Sequence, residues 1–206
     1  MITLYDYELA ADCYKIRLFL SLAGLTATIE PVEFYPAREQ DSAWYRRISP
    51  LGRLPALLDG DLVLDDPQAI LVHLGAGSAW YPLAQAGAVQ QWLSFAGALA
   101  ATAGAARLHD GMMLPLDIAA ARGEAHRLLG ALEKHLWFAE AAGQEWLCPG
   151  DHPTVADVAC FPDIMLSEEG GISRIDYPAV RRWLDRFRRL PGFIVMPGIF
   201  EAAPAA

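Results

Sequence analysis

The chain has 206 residues, 54% of them hydrophobic and 20% charged, which is enough apolar material for a substantial buried core and too much for a disordered chain. Its 16 Lys and Arg stand against 25 Asp and Glu, and the resulting net charge of -9 repels phosphate backbones and argues against nucleic acid as a partner. The imbalance is evenly spread: residues 1–80 carry 11 acids and 6 bases, residues 81–206 carry 14 and 10, so neither half is a charged tail.

The opening run Met1-Ile2-Thr3-Leu4-Tyr5-Asp6 has no basic flank and no long apolar segment, so no signal peptide is expected. The longest weakly polar stretch, Leu93 to Ala106, is too short to span a bilayer. Cys13, Cys148 and Cys160 are odd in number and widely spaced, which predicts free thiols in a reducing, cytoplasmic setting. The histidines lack His-x-x-x-His and mixed His/Cys spacing, so no zinc site is expected.

In chain order, Ile2 to Tyr7 is β-branched and aromatic and predicts a strand. Cys13 to Ala23 carries Ile16, Phe19, Leu20 and Ala23 at helical spacing and stops at Gly24. Ala27 to Phe34, with Ile29 and Val32, predicts a second strand, and Asp41 to Ile48 a short helix. Leu54 to Leu58, the turn Asp59-Gly60-Asp61 and Leu62 to Leu64 predict a hairpin, because Asp-Gly favours the positive φ angles of tight turns. Pro67 fits the first position of a helix reaching about Leu74, where its missing N–H costs nothing. The order is βαβ, helix, ββα.

From Tyr81 onward the strand signals fade. Val89, Trp92, Leu93 and Ala96 keep a helical period, and the Ala/Gly-rich continuation to Ala106 suits close approach of another helix. Leu128, Leu129, Leu132 and Leu136 mark a second long helix; Val180, Trp183, Leu184 and Phe187 mark a late one, with the arginines between 181 and 189 on its solvated face. Gly75 to Pro82 separates the two regimes. The predicted division is a mixed domain over 1–75, a linker over 76–84 and an all-helical domain over 85–206.

Three segments carry chemistry. In Gly52-Arg53-Leu54-Pro55-Ala56-Leu57, the proline is either a loop residue before the hairpin or part of a cis bond that turns the Leu54 backbone outward to pair with an extended ligand. Leu64-Asp65-Asp66-Pro67-Gln68-Ala69-Ile70 is either plain helix initiation or a helix start where an acid and free amides meet a charged ligand. Thr154 and Asp157 have the spacing of a capping box, which is a folding signal.

In this order the segments resemble the soluble, bacterial-type glutathione S-transferase family, and the resemblance covers nearly the whole chain. Further support comes from Cys13-Tyr14-Lys15-Ile16-Arg17, Ser49-Pro50-Leu51, Val158-Ala159 after the capping box, and Tyr177-Pro178-Ala179-Val180-Arg181-Arg182-Trp183-Leu184. The resemblance implies an α+β fold, a thioredoxin-like N-terminal domain followed by an all-α domain, in a cytoplasmic homodimer. It implies glutathione as co-substrate, conjugated to a small electrophile or used to isomerise one, with no metal, nucleic acid or membrane partner.

The same resemblance assigns Leu54, before a cis Pro55, to the cysteinyl backbone of glutathione, Arg53 to its glycyl end, and Asp66 with Pro67 to its γ-glutamyl group. Two departures follow. Ala10-Ala11-Asp12-Cys13-Tyr14-Lys15 stands where related sequences read Ser-x-Asn-Cys-x-Lys, so the hydroxyl that holds the thiolate is a methyl at Ala10. Pro67 replaces a serine, and each lost hydrogen bond to a charged group, worth roughly 1.5–3 kcal/mol, weakens glutathione about tenfold to a hundredfold. Asp12 adds a charge that raises a nearby thiol's pKa.

Two side chains are candidates for the missing catalytic group: Tyr7, as a phenol donor or an interface residue, and Cys13, as a mixed-disulfide former or a structural residue. The acceptor pocket is expected between the domains, with Ala10, Arg107, His109, Met112 and Met113 around it or in a solvated loop. The alternative reading of the whole chain is a binding or regulatory protein that keeps the fold without the chemistry.

Overall fold

A computed structural model describes residues 2–196. Its sheet is centred on β1 (Ile2–Asp6), where Leu4 is fully buried. β2 (Thr28–Pro31) lies parallel on one side; β3 (Ala56–Asp59) and β4 (Leu62–Leu64) continue antiparallel on the other, in the order β2-β1-β3-β4. The crossover from β1 to its parallel neighbour is α1 (Ala11–Leu22), which buries Ile16, Phe19 and Leu20 and gives way to Gly24 at φ +65°. Gly60, at φ +60°, makes the turn of the β3–β4 hairpin. α2 (Pro67–Gly75) starts with its proline in the first turn and with Asp66 accepting from the Ala69 N–H at 2.9 Å. This is the expected thioredoxin-like unit.

Two local expectations change. Asp41 to Ile48 forms no α-helix; the region holds two 3-10 turns, Glu39–Asp41 and Tyr45–Arg47, in which Gln40 and Tyr45 are the buried residues. Two isolated buried positions do not make the apolar stripe that a packed helix needs. The second strand is only four residues long, and all four are exposed. Ile29 and Val32 are three apart, so they cannot share a face of a strand; Val32 is buried while Ile29 faces outward at the sheet edge.

The helical domain begins after the 3-10 turn Leu83–Gln85. The predicted helix through Ala106 is present but not continuous: α3 (Ala86–Leu99) passes through a π-helical turn at Ala100–Gly104 into α4 (Ala105–Met112). Thr102 donates its hydroxyl back to the Ala98 carbonyl at 2.7 Å inside that turn. α5 (Ile118–Ala141) buries the predicted leucines 128, 129, 132 and 136. α6 (Val155–Met165) is the central helix, buried from Val155 to Ile164 and started by the Thr154/Asp157 capping box. Asp157 also accepts from the Leu147 N–H and from Trp183 Nε1, both at 3.0 Å, which ties α6 to α7 (Pro178–Phe187). No described helix is long and apolar enough to cross a membrane.

The two units share one core, because α1 packs directly on α6. At this junction Lys15 is completely buried, with Nζ 2.6 Å from Asp12 Oδ1 and 2.8 Å from Asp163 Oδ2. Gly104 allows the close helix approach that the Ala/Gly-rich stretch predicts: a Cβ there would lie 2.7 Å from Asp163 Oδ1.

Candidate functional site

A cavity of about 470 Å³ opens between the units, bounded by the end of β1, the start of α1, the segment before β3, the start of α2, and one face of the α3–α4 helix. The segment before β3 is held from behind. Ser49 Oγ accepts from the Arg53 N–H at 2.8 Å and donates to Asp65 Oδ2 at 2.7 Å, and the buried Tyr45 donates its hydroxyl to the Arg53 carbonyl at 2.6 Å. The Leu54–Pro55 bond is cis. Among the described residues, the N–H and carbonyl of Leu54 make no hydrogen bond, so both are available to an extended ligand along this edge. Pro55 itself is buried behind them and does not line the cavity.

The start of α2 lies on the same side of the cavity, joined to the Arg53 backbone through Ser49 and Asp65. Asp66 and Pro67 both line the cavity, and one Asp66 oxygen caps the helix through the Ala69 N–H. Pro67 removes an amide that this N-terminus would otherwise offer an anion. Gln68, which the sequence reading passed over, lines the same wall and carries a side-chain carboxamide, a different group from the backbone N–H that Pro67 lacks. Its position in the first turn after Asp66 was the available signal.

At the other end, Ala10 precedes the first turn of α1 with no side-chain cap, and its methyl faces the cavity. Asp12 lines the wall beside it, its side chain 34% exposed and one oxygen committed to Lys15. Tyr7 reaches the cavity from the end of β1 and donates its hydroxyl to the Tyr35 carbonyl at 3.4 Å, the long edge of hydrogen-bonding range. Burial, then the Glu33 carboxylate, push its pKa above the ordinary phenol value, so it is a neutral donor.

Cys13 is not in the cavity. Its side chain is fully buried on the inner face of α1, where Sγ accepts from the Tyr7 N–H at 3.2 Å. Burial and the neighbouring Asp6 carboxylate push its thiol well above the usual range, which leaves no thiolate to act as a nucleophile.

The helical wall divides the remaining candidates. Ala100, Gly104, Arg107 and Leu108 line the cavity; His109, Met112 and Met113 do not. At about 100° per residue, position 109 is turned some 200° from 107, onto the far side of α4. There His109 Nδ1 pairs with the Leu114 carbonyl at 2.7 Å, Met112 is buried, and Met113 is 90% exposed. Asp163 of α6, which no sequence motif indicated, closes the floor between Asp12 and Arg107.

A mixed four-stranded sheet joined to a helical bundle, with the backbone of residue 54 in the cleft between them, defines the class of thioredoxin-like proteins with an all-helical second domain. The chain belongs to the glutathione S-transferase family: residues 13–76 match the model of the family's N-terminal domain and residues 85–186 that of its C-terminal domain. Maleylacetoacetate isomerase of Pseudomonas aeruginosa is 26% identical over 206 residues, 92% of each chain. A glutathione S-transferase from Xanthobacter autotrophicus has a similar structure, with a TM-score of 0.84, 27% identity and coverage of 97% of this chain and 98% of that one. A glutathione transferase family member from Pseudomonas fluorescens, with two glutathione molecules bound, has a TM-score of 0.77 and 29% identity, over 93% of this chain and 89% of that one.

Proposed function

We propose that the cleft binds glutathione and that the protein adds its thiol to a small electrophile, or uses it to isomerise one. The observation that carries this reading is the Leu54 backbone, without a hydrogen bond among the described residues, in one cavity with the Asp66 carboxylate at the start of α2. An extended tripeptide paired with Leu54 would present its ammonium to Asp66 and its far end to Arg53. The glutathione bound to the Pseudomonas fluorescens relative and the isomerase activity named for the Pseudomonas aeruginosa relative support the same chemistry. Ala10 offers the sulfur no donor, which leaves the Tyr7 phenol as the nearby hydroxyl that can turn toward it. The buried thiols fit a reducing, cytoplasmic setting.

A second copy is proposed to cover the shallow groove between Leu62, Leu64, Val72 and Leu93, which gives a homodimer; light scattering on the purified protein reads its mass. The alternative of a binding or regulatory role rests on the Ala10 methyl and on Pro67, each of which withholds a donor that the ligand would use.

Calorimetric titration with glutathione tests the reading. One molecule is expected to bind per chain, and the absence of heat at millimolar ligand with the protein folded overturns the proposal. Binding without turnover of any generic electrophile favours the regulatory alternative. Tyr7→Phe is expected to lower turnover by about tenfold or more, and unchanged turnover removes Tyr7 from the mechanism.

A further inference from the structure

Arg107 reaches from α4 toward the loop between β1 and α1, with a side chain only 2% exposed. Nε donates to Glu169 Oε2 at 2.6 Å, and Nη1 donates to the Leu9 carbonyl at 2.8 Å, so the guanidinium is fixed beside the mouth of α1. Nη2 is buried and has no partner among the described residues. An unsatisfied N–H on a buried cation is a standing cost to the fold and calls for an acceptor.

The surroundings narrow what that acceptor is. Ala10, Ala11, Ala100, Gly104 and Leu108 line the cavity near Arg107 and contribute no side-chain acceptor. Of the groups around it, Glu169 holds Nε, Asp12 and Asp163 share Lys15, and Asp163 and the Tyr7 phenol lie within electrostatic range of the guanidinium without a hydrogen bond to Nη2. Arg53, Leu54 and Asp66 stand on the opposite, sheet-domain side, where the proposed tripeptide lies. The guanidinium therefore belongs to the acceptor half of the cleft.

Resting on the reading of this cleft as a glutathione-dependent site, we propose that Arg107 anchors a carboxylate, through Nη2, on the acceptor co-substrate, so that the enzyme selects anionic electrophiles. A guanidinium whose orientation is locked by two other bonds gives up little freedom when it takes a carboxylate oxygen. A site built around such a donor discriminates strongly against an acceptor lacking the charge.

Two matched electrophiles test this, 4-chloro-3-nitrobenzoate and 4-chloro-3-nitrobenzamide. In both reactions the glutathione sulfur forms a C–S bond, chloride leaves with the C–Cl electrons, and the thiol proton goes to solvent. The readout is the benzoate-to-benzamide ratio of kcat/KM, divided by the same ratio for the uncatalysed reactions. The wild type is expected to favour the benzoate by at least about tenfold, mainly through KM, and Arg107→Met to collapse that preference to within about threefold. Arg107→Lys keeps the charge and is expected to retain part of it.

A wild-type ratio near one overturns the proposal, and this measurement stands even if Arg107→Met fails to fold. An unchanged preference in Arg107→Met also overturns it. So does a ratio that stays constant while the thiolate absorbance of bound glutathione titrates at higher pH, since Arg107 would then serve the sulfur. If neither electrophile turns over while glutathione binds, conjugation of this class of electrophile fails and the glutathione-binding reading stands. The anchor is then read by calorimetry with 3-nitrobenzoate and 3-nitrobenzamide on the glutathione-saturated protein, where tighter benzoate binding supports it and equal affinity overturns it.

Discussion

Replacing Lys15 with Met tests whether the cation between α1 and α6 holds the two domains together. Lys15 is fully buried, Asp163 is 1% exposed and Asp12 is 34% exposed, so the substitution leaves one interior carboxylate and one half-covered carboxylate without their counter-ion. Breaking a buried ion pair from one side costs about 3–5 kcal/mol. For a chain of this length that lowers the melting temperature by roughly 6–20 °C.

The pH dependence separates this cause from a simple packing loss. Burial alone would lower the Lys15 pKa, but Asp12 and Asp163 reverse the effect and hold it above the ordinary lysine value. A raised lysine pKa stabilises the folded state fully below the unfolded value of about 10.4, so the contribution of Lys15 itself is constant through neutral pH. Burial raises the Asp163 pKa, and Lys15 opposes the rise. That carboxylate already binds a proton more tightly in the folded state than in the unfolded one; removing Lys15 widens the difference, so more of the lost stability returns as pH falls. Urea unfolding followed by tryptophan fluorescence should therefore show a deficit for Lys15→Met that is larger at pH 8 than at pH 5. Adding Asp163→Asn should recover a large part of the deficit at pH 8. A deficit below about 1 kcal/mol, or one equal at both pH values, refutes the assignment of the interdomain contact to this charge cluster.

Gly104→Ala is expected to destabilise by about 1–3 kcal/mol, because its Cβ would sit 2.7 Å from Asp163 Oδ1. Gly97→Ala, on the exposed side of α3 with nothing within 4 Å of its Cβ, should instead stabilise by up to about 1 kcal/mol; thermal melts that give both the same sign contradict the helix packing. Native protein at pH 8 should release no thiol to an aromatic disulfide reagent, since burial pushes Cys148 to about 11 and Cys13 and Cys160 well above the usual value. A fast-reacting native Cys13 would contradict its burial. Ala10→Ser with Pro67→Ser should tighten glutathione by about tenfold or more in calorimetry, and no gain would indicate a cleft shaped for another ligand.

What the sequence disclosed follows the range of the interactions involved. The Gly60 turn, the Pro67 helix start and the Thr154/Asp157 capping box each depend on residues within three positions of one another, and each is present as read. The Asp41–Ile48 segment differs because the region buries only Gln40 and Tyr45, which make no helical stripe, and Tyr45 is fixed by its hydroxyl on the Arg53 carbonyl outside the segment. The site shows the same division. Arg53, Leu54, Asp66 and Pro67 lie within two short segments and converge on the cavity, whereas the acceptor wall required the phase of α4, which is set upstream by the π turn at Ala100–Gly104. That phase brings Arg107 inward and turns His109 away, a distinction invisible when the four candidates are simply neighbours in sequence. Asp163 was beyond reach for a different reason. Its only announcement in the sequence is a lysine at position 15 whose burial cannot be known until α1 meets α6. The buried ion cluster and the Arg107 donor left unpaired among the described residues are products of domain packing, and they lie where two separately readable domains meet.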